Sequence, residues 1–416
     1  IAVILVYSNS LTVEWHYDDH ANILENANVR LTDISWENIQ KTFYNEGRIL
    51  RPFAYFSFGV NYYFGKYNVF GYHLVNLLIH LLATLFLFIF IFKTLNLQTI
   101  KNEYGARAYS IAILGTFLWA IHPLQVHAVT TIVQRMASLC GMFYILTMLL
   151  YLKGRLFGNK VISFIFFFSA TCTGILALGT KENAILLPIS LFFYDLILIQ
   201  GLWKVKNLRQ IIIFCAITLA LLIAVSVFFI DLSAIPNSYS HRPFTLQERL
   251  LTEPRIIIFY ISLLLYPISS RMTLLHDPLI SHTLFDPWTT LPSIIIIIGA
   301  VIFALRFASK KPLLSFCILF FFLNHIVEGT FIALELIYEH RNYIPSMFFF
   351  VPISIAIVQF INYFSYKNYL KYFFIFAFSL LLIMLGHTVY ERNHVMRTEL
   401  GLWLDNVKKS PKLSRV

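Results

Sequence analysis

A succession of apolar segments, each about as long as a bilayer is thick, most constrains the fold of this 416-residue chain. A helix needs roughly 20 mostly apolar residues to cross the hydrocarbon core. Such segments lie near 72–92, 107–121, 128–152, 161–179, 183–201, 210–230, 289–306, 312–330, 343–364 and 371–390. The apolar run Ile1–Val6 is expected to be the end of one more span. The sequence therefore predicts an all-α polytopic membrane protein with about eleven transmembrane helices.

Basic residues occur in alternate loops between these segments. They include Lys93, Lys101, Arg107, Lys153, Arg155, Lys160, Lys204, Lys206, Arg209, Arg306, Lys310, Lys311, Lys367 and Lys371. Lys and Arg near span ends mark the cytoplasmic side. The intervening loops, which hold most of the unusual polar residues, are therefore expected on the outer face. The net charge of +11 is explained by this asymmetry, so we expect no nucleic-acid partner.

Two outer loops, 11–70 and 231–288, are long. The apolar stretch 256–268 within the second loop is short and reaches Pro267, and a crossing there would place Lys310 outside. We therefore expect a re-entrant or interfacial helix. Residues 1–390 are predicted to form the transmembrane domain. The polar, helix-patterned tail 391–416 is expected to begin a C-terminal periplasmic or lumenal helical domain that continues beyond this sequence.

The pair Asp18-Asp19, followed by His20, comes just after the first apolar run. Two carboxylates at the outer mouth of a helix bundle are candidates for acid–base chemistry. Neighbours in an extended stretch point to opposite sides, so we expect one Asp to face a substrate and the other to brace it. The alternative is an ordinary capped turn, because Asp and Asn favour turns.

His73, Asn76 and His80 lie at spacings of three and four at the head of a span, so they share one helix face. That face either lines a cavity or forms hydrogen bonds between helices. Zinc fits poorly, because the histidines are two turns apart and no acidic ligand accompanies them.

Further candidate residues lie in the later outer loops. His122 and His127 precede Arg135, a cation within an apolar run that needs an anionic partner. The other candidates are Lys181, Glu182, Glu335, Tyr338, Glu339, His340, Arg341 and Tyr343. A solvated turn or surface ion pair explains each group in isolation. Together they place carboxylates, histidines and cations on one face, as sugar transfer from a phosphate-linked lipid would require.

Several of these residues match a family pattern in order and spacing. The segments are Tyr17–Asn26, Arg51-Pro52, Gly71–His80, His122-Pro123-Leu124, Gln134-Arg135, Lys181-Glu182 and Tyr343–Ser346. The sequence resembles the GT-C glycosyltransferases with C-terminal TPR repeats, which include the transmembrane-and-TPR protein O-mannosyltransferases and bacterial relatives. The end of the chain, with Trp403-Leu404-Asp405, is similar to the lead-in to the TPR array.

The resemblance implies a polyprenyl-phosphate sugar donor, an exported protein acceptor and transfer on the outer side of the membrane. It implies that Asp18 or Asp19 is the catalytic base. Arg135, Lys181 and Arg341 would bind the donor phosphate. Arg51 lies in a matching segment and is a further site candidate. We expect a bacterial inner membrane with a periplasmic site, or else the lumenal side of the endoplasmic reticulum. The need for a divalent cation stays open.

One motif departs from the pattern. Many relatives read His-Pro-x-His-x-Glu, whereas this chain has Gln125 in place of the second histidine and His127 in place of the glutamate. The departure favours an alternative in which the chain is a non-catalytic membrane subunit that binds a lipid or a partner protein. Sugar transfer to a lipid or glycan is another alternative. A transporter is less favoured, because the polar groups cluster at one surface and inverted repeats are not evident.

Overall fold

The computed structural model describes residues 1–45, 48–201, 238–240 and 242–411. Seven helical segments in these residues are long and apolar enough to cross a membrane: Val69–Leu95, Arg135–Leu156, Lys160–Leu178, Glu182–Ile199, Thr290–Phe307, Pro345–Tyr366 and Asn368–Val395. A pair bent by 52°, Lys101–Ala120 with Pro123–Thr130, forms an eighth candidate span. These helices confirm the prediction of an all-α polytopic membrane protein.

The other segments that the sequence predicts as spans do not form long helices in the described residues. Pro312–Leu323 is apolar but short, and Ala2–Val6 has only five residues. The predicted span 210–230 lies outside the described residues, so the count of eleven stays a prediction. The expectation of a helix over 312–330 is wrong at its end. The chain leaves the helix at Asn324, and the polar residues His325 and Glu328 then turn inward.

The elements of the loops and the tail that are predicted to face outward are mostly helical. They are Trp36–Thr42, Pro52–Gly65, Leu246–Leu265 and Glu399–Lys409, with a small antiparallel pair of strands, Tyr44–Asn45 and Arg48–Ile49. Single turns include Ser8–Thr12, His20–Leu24, Ala27–Val29, Ser269–Arg271 and Glu339–Asn342. The helix Leu246–Leu265 carries several charged residues and does not qualify as a span, and its position in an outer loop stays a prediction.

Interior packing combines apolar contacts with polar pairs between helices. The helices Val69–Leu95 and Arg135–Leu156 pack on each other, and Lys160–Leu178 packs on the second. Trp119, Tyr144 and Tyr343 are fully buried among them. Tyr144 donates to Ser190 Oγ at 2.6 Å, which satisfies its hydroxyl away from water. Such pairs hold helices together where lipid supplies no hydrophobic contrast.

Loops predicted to be cytoplasmic approach one another at one end of the bundle. Lys311 Nζ lies 3.7 Å from Glu103, and Arg155 lies 2.5 Å from Asp195. At the other end, the C-terminal helix Glu399–Lys409 contacts the loops around residues 14–20 and 269–276. The last span runs through the predicted domain boundary at 390 and ends at Val395.

Candidate active site

The segment that carries the two aspartates is helical, so the expectation of an extended stretch is wrong. Tyr17 has a positive φ of 42°, and the chain then turns through Asp18 and Asp19 into the single turn His20–Leu24. Successive side chains in a helix are about 100° apart. The two carboxylates therefore still face different surroundings. The reason is the rotation between successive residues of a helix and not the alternation of an extended stretch.

Asp19 is fully buried and is used by the fold itself. Its carboxylate accepts the backbone N–H of His16 at 3.0 Å and that of Val133 at 2.7 Å. Burial raises its pKa to about 7, against the opposing effect of these hydrogen bonds. Asp19 thus joins the first outer loop to the segment that precedes the span Arg135–Leu156, and it is not exposed to a substrate.

Asp18 is only half-buried, and its carboxylate accepts no hydrogen bond from the described residues. The turn is held instead through its backbone carbonyl, which accepts from Asn22 Nδ2 at 2.8 Å. Burial raises the pKa of Asp18, the positive charge of Arg51 lowers it, and the negative charge of Glu335 raises it again. Of the two aspartates, Asp18 is therefore the one with a free carboxylate among charged neighbours.

Arg51 and Glu182 form a two-pronged ion pair beside Asp18. Arg51 Nε and Nη2 donate to the two carboxylate oxygens of Glu182 at 2.9 and 3.0 Å. Burial alone would lower the pKa of Arg51, but its pairing with Glu182 raises it overall. Arg51 also has a left-handed backbone, with φ at 48° just before the helix Pro52–Gly65. Non-glycine residues rarely adopt this conformation, and such residues concentrate at functional sites.

Lys181 and Arg341 bring two buried cations to the same place. Lys181 Nζ lies 2.6 Å from Glu328, with side chains only 6% and 10% exposed. Arg341 donates through Nη1 to the carbonyl of Leu336 at 3.1 Å, while its Nε donates to no described residue. The charges of both cations hold the pKa of Glu328 low, although its burial alone would raise it. Cations with spare donors are suited to bind a phosphate.

Two histidines stand beside these cations. The rings of His127 and His340 are in edge contact, with centroids 5.0 Å apart, and His340 stacks on Tyr338 at 5.2 Å. Burial, followed by the charge of Lys181, holds the pKa of His340 well below its usual value, so its ring is neutral. The residue that replaces the usual glutamate, His127, therefore faces the site. Gln125 instead donates to Ser346 Oγ inside the bundle.

Arg135 does not belong to this group, which corrects its expected role in phosphate binding. The side chain is fully buried and donates to Asn76 Oδ1 at 2.6 Å, to Ser57 O at 3.1 Å and to Tyr72 O at 3.0 Å. It also stacks over the Phe58 ring at 4.8 Å. Because its donors are directed at protein atoms, Arg135 joins the first outer loop and the early helices.

The polar face His73, Asn76 and His80 serves packing between helices. Asn76 donates to the carbonyl of Val129, and His73 contacts the carbonyl of Val13 at 2.9 Å. His80 contacts Tyr343 Oη at 2.9 Å and the carbonyl of Ala120 at 3.0 Å. All three are buried. The structure thus favours the alternative of interhelical hydrogen bonding.

His122 and His20 also lie outside the group. His122 caps its own turn, where its Nδ1 accepts the Leu124 N–H, and its Nε2 contacts the carbonyl of Leu264. His20 points to the C-terminal helix, with Nε2 3.8 Å from Glu399. Seven of the fourteen candidate residues are therefore near one another: Asp18, Arg51, His127, Lys181, Glu182, His340 and Arg341.

Glu328 is the main residue that the sequence reasoning missed. It lay within a segment read as a span, where an acidic residue in an apolar run is itself a signal of function. Glu253 and Arg249, 2.7 Å apart, form a further buried pair close to Arg341. Across the described residues, no three His, Cys, Asp or Glu side chains are placed to hold a metal ion. The arrangement offers one free carboxylate next to cations, which suits removal of a hydroxyl proton beside a bound phosphate.

Comparison with known proteins finds relatives that are named for protein O-mannosyl transfer. The chain is 31% identical over 161 residues to the protein O-mannosyl-transferase tmtc2 of Xenopus laevis, which covers 36% of this chain. It is 29% identical over 207 residues to TMTC1 of Mus musculus and 27% identical over 217 residues to TMTC2 of Homo sapiens, covering 46% and 49% of this chain.

No family model and no solved structure matches the chain. The matched stretches span only 18%, 21% and 24% of the three relatives' own length. Over about a third to a half of its length, this chain resembles the TMTC protein O-mannosyltransferases.

Proposed function

We propose that this chain is a GT-C membrane glycosyltransferase that moves a sugar from a polyprenyl-phosphate donor to a hydroxyl of an exported protein. The observation that carries the proposal is the free carboxylate of Asp18 beside Arg51, whose charge acts on buried His340 together with the charges of Lys181 and Arg341. The names of the relatives, protein O-mannosyl-transferases, support the reaction class.

Asp18 is the base in this mechanism. Its carboxylate takes the proton of the acceptor hydroxyl while the oxygen bonds to the anomeric carbon of the sugar. The bond from that carbon to the phosphate oxygen breaks, and the electron pair leaves with the polyprenyl phosphate. A raised pKa makes Asp18 a stronger base than an exposed aspartate. A phosphate leaving group needs no strong general acid.

Lys181 and Arg341 stabilise the charge that develops on the departing phosphate. Both are held in a buried setting before the donor arrives, so little reorganisation is needed during the reaction. Glu328 fixes Lys181, and the Leu336 carbonyl fixes one end of Arg341. The neutral ring of His340 adds no positive charge, and it packs beside the cations rather than competing for the phosphate.

Acceptor and location complete the proposal. The site faces the periplasm in a bacterial inner membrane, where lipid-linked sugars and exported chains meet. The helix Glu399–Lys409 leads from the site toward a C-terminal TPR region that would bind the acceptor polypeptide. The Glu399 N–H donates to Glu14 at 3.1 Å, and this contact with the loop that carries Asp18 supports an acceptor-binding role for the C-terminal region.

The experiment is a comparison of cells that lack the gene with cells complemented by the wild type or by Asp18→Asn. Mass spectrometry of exported proteins should show hexose-bearing Ser or Thr peptides only with the wild type. Glycans lost from lipids or polysaccharides, with protein glycopeptides unchanged, would redirect the proposal to another acceptor. No change in any glycan, with the protein inserted, would contradict catalysis and favour a binding subunit.

A further inference from the structure

A cavity of about 300 Å³ lies apart from the candidate active site. It is bordered by the helix Leu246–Leu265, the loop 270–279 and the end of the helix Glu399–Lys409. Its volume is at the lower end of the range for small-molecule sites, about 300–1,000 Å³. Two lining residues are next in sequence to residues at or near the candidate site: Ile337 precedes Tyr338, and Thr252 precedes Glu253. The cavity therefore borders the segment that leads into Tyr338. None of the proposed catalytic groups lines it.

Positive charge dominates this cavity. Arg255, Arg271, His276 and Lys409 line it, whereas Asp277 is its one carboxylate among the described residues. Lys409 is balanced by Asp405 at 2.7 Å. His276 contacts Glu339 at 3.3 Å.

The two arginines have no carboxylate partner among the described residues, although Arg271 lies over the Phe259 and Tyr266 rings, 5.4 and 5.9 Å from their centroids. Arg255 donates to hydroxyl and carbonyl oxygens, including Thr289 Oγ1 at 2.9 Å, and Arg271 donates to Ser262 Oγ at 2.6 Å. Neither forms an ion pair with any carboxylate in the described part of the chain, and Asp277 pairs with neither. Charges that are partly removed from water are normally paired. Two unpaired guanidinium groups at one cavity indicate an anionic ligand.

The rest of the lining specifies the kind of anion. The lining includes the apolar residues Ile256, Phe259 and Ile337 as well as hydroxyl-bearing residues such as Ser270. The helix that supplies Ile256 and Phe259 ends with Leu265 62% exposed and Tyr266 59% exposed. Exposed tyrosine is typical of the membrane interface. The cavity thus combines arginine donors with apolar surface on a helix that ends in an exposed tyrosine.

We infer that this cavity binds a phosphate group, either as the headgroup of an anionic lipid or as free phosphate. Arginine recognises phosphate through parallel N–H donors, and both arginines are already held by neutral oxygens. The site is independent of the proposed transfer reaction, because it shares no residue with it. Its occupant would lie next to the loop that carries His276, which contacts the turn of His340 and Arg341 through Glu339.

The test uses the full chain, purified in detergent or placed in nanodiscs, with the variants Arg255→Gln and Arg271→Gln. Arg30→Gln is the matched control, an outer-loop arginine that also donates to a carbonyl, that of Leu24. Inorganic phosphate is one probe, and binding is followed by isothermal titration. Nanodiscs of phosphatidylcholine with or without phosphatidylglycerol are the other, and co-purified lipid is counted by native mass spectrometry.

Each arginine variant should weaken binding about tenfold, because a charged hydrogen bond is lost, while Arg30→Gln should leave it unchanged. A loss of phosphate binding identifies free phosphate, and a loss of retained phosphatidylglycerol identifies a lipid headgroup. Arg271→Lys separates charge from local folding: it keeps the charge but not the parallel donors, so it should bind more tightly than Arg271→Gln and less tightly than the wild type. Equal binding of both probes by the wild type, both Gln variants and Arg30→Gln would overturn the inference. So would an absence of binding to the wild type.

Discussion

The Asp19 carboxylate accepts the backbone N–H of Val133 at 2.7 Å, and this contact joins the first outer loop to the start of a buried span. The neighbouring Asp18 projects from the same turn with no such partner among the described residues. One aspartate therefore fixes the position of the other. The two residues are the same amino acid side by side in the sequence, but Asp19 binds backbone N–H groups and Asp18 keeps an unbonded carboxylate.

Asp19→Asn should lower stability more than it alters chemistry. An amide nitrogen would face one of the two N–H donors of His16 and Val133, and an unsatisfied buried group costs about 1–3 kcal/mol. The folded pKa is raised from 3.8 to about 7, so the stabilisation from Asp19 is complete below the unfolded pKa and is lost as pH rises through the folded one.

The melting temperature in detergent, measured from pH 4 upward, checks this prediction. The wild type should exceed Asp19→Asn most at low pH, and the difference should shrink as pH rises through about 7. A difference that grows with pH would contradict the buried, proton-binding role of Asp19. Glu25→Gln, which changes an exposed carboxylate on the same loop, serves as the control.

Arg135→Lys should destabilise the protein without impairing sugar transfer by the molecules that remain folded. Lysine cannot donate to Asn76, Ser57 and Tyr72 at once, and the loss of a buried charged hydrogen bond costs about 1.5–3 kcal/mol. We expect a lower melting temperature, with KM for the lipid donor unchanged in the folded fraction. A higher KM for the lipid donor with no loss of stability would show that Arg135 binds the donor after all.

The class of fold could be predicted from the sequence, because hydrophobic segments of membrane length leave few other structures. The contacts of the polar residues could not. Arg135, His80 and His122 read as candidates for chemistry, but burial directs their side chains at protein oxygens. Whether a polar side chain on a span faces a cavity or a neighbouring helix depends on packing between segments far apart in sequence. The pairing of Glu328 with Lys181 could not be predicted for the same reason, because it depends on the preceding helix ending at Leu323.

Lys181→Met should destabilise the protein by about 3–5 kcal/mol, because it leaves the Glu328 carboxylate buried and unpaired. The double variant with Glu328→Gln should recover much of that stability, since no unpaired charge remains. Transfer should stay low in both variants, because the cation that faces the donor phosphate is absent. Melting temperature and donor KM, measured on the same samples, separate the two effects. Recovery of transfer together with stability would show that Lys181 only supports the fold.

The pH profile of transfer should move in opposite directions in two variants near Asp18. Activity requires the carboxylate, so it should rise with pH through a pKa above the ordinary value of 3.8. Arg51→Gln removes the charge that lowers this pKa, and the acidic limb of kcat/KM should shift to higher pH. Glu335→Gln removes a charge that raises it, and the limb should shift to lower pH. Shifts of the same sign in both variants, or no shift, would show that Asp18 is not the group whose titration controls the acidic limb.

The most direct measurement of the central claim is the rate of sugar transfer by purified Asp18→Asn in nanodiscs, with a polyprenyl-phosphate hexose and a Ser/Thr peptide from an exported protein. Loss of the base should lower kcat by about 10²–10⁴-fold, with the melting temperature unchanged. Glu25→Gln, an exposed change in the same loop, should transfer at the wild-type rate. An Asp18→Asn enzyme as active as the wild type would contradict the assignment of Asp18 as the base.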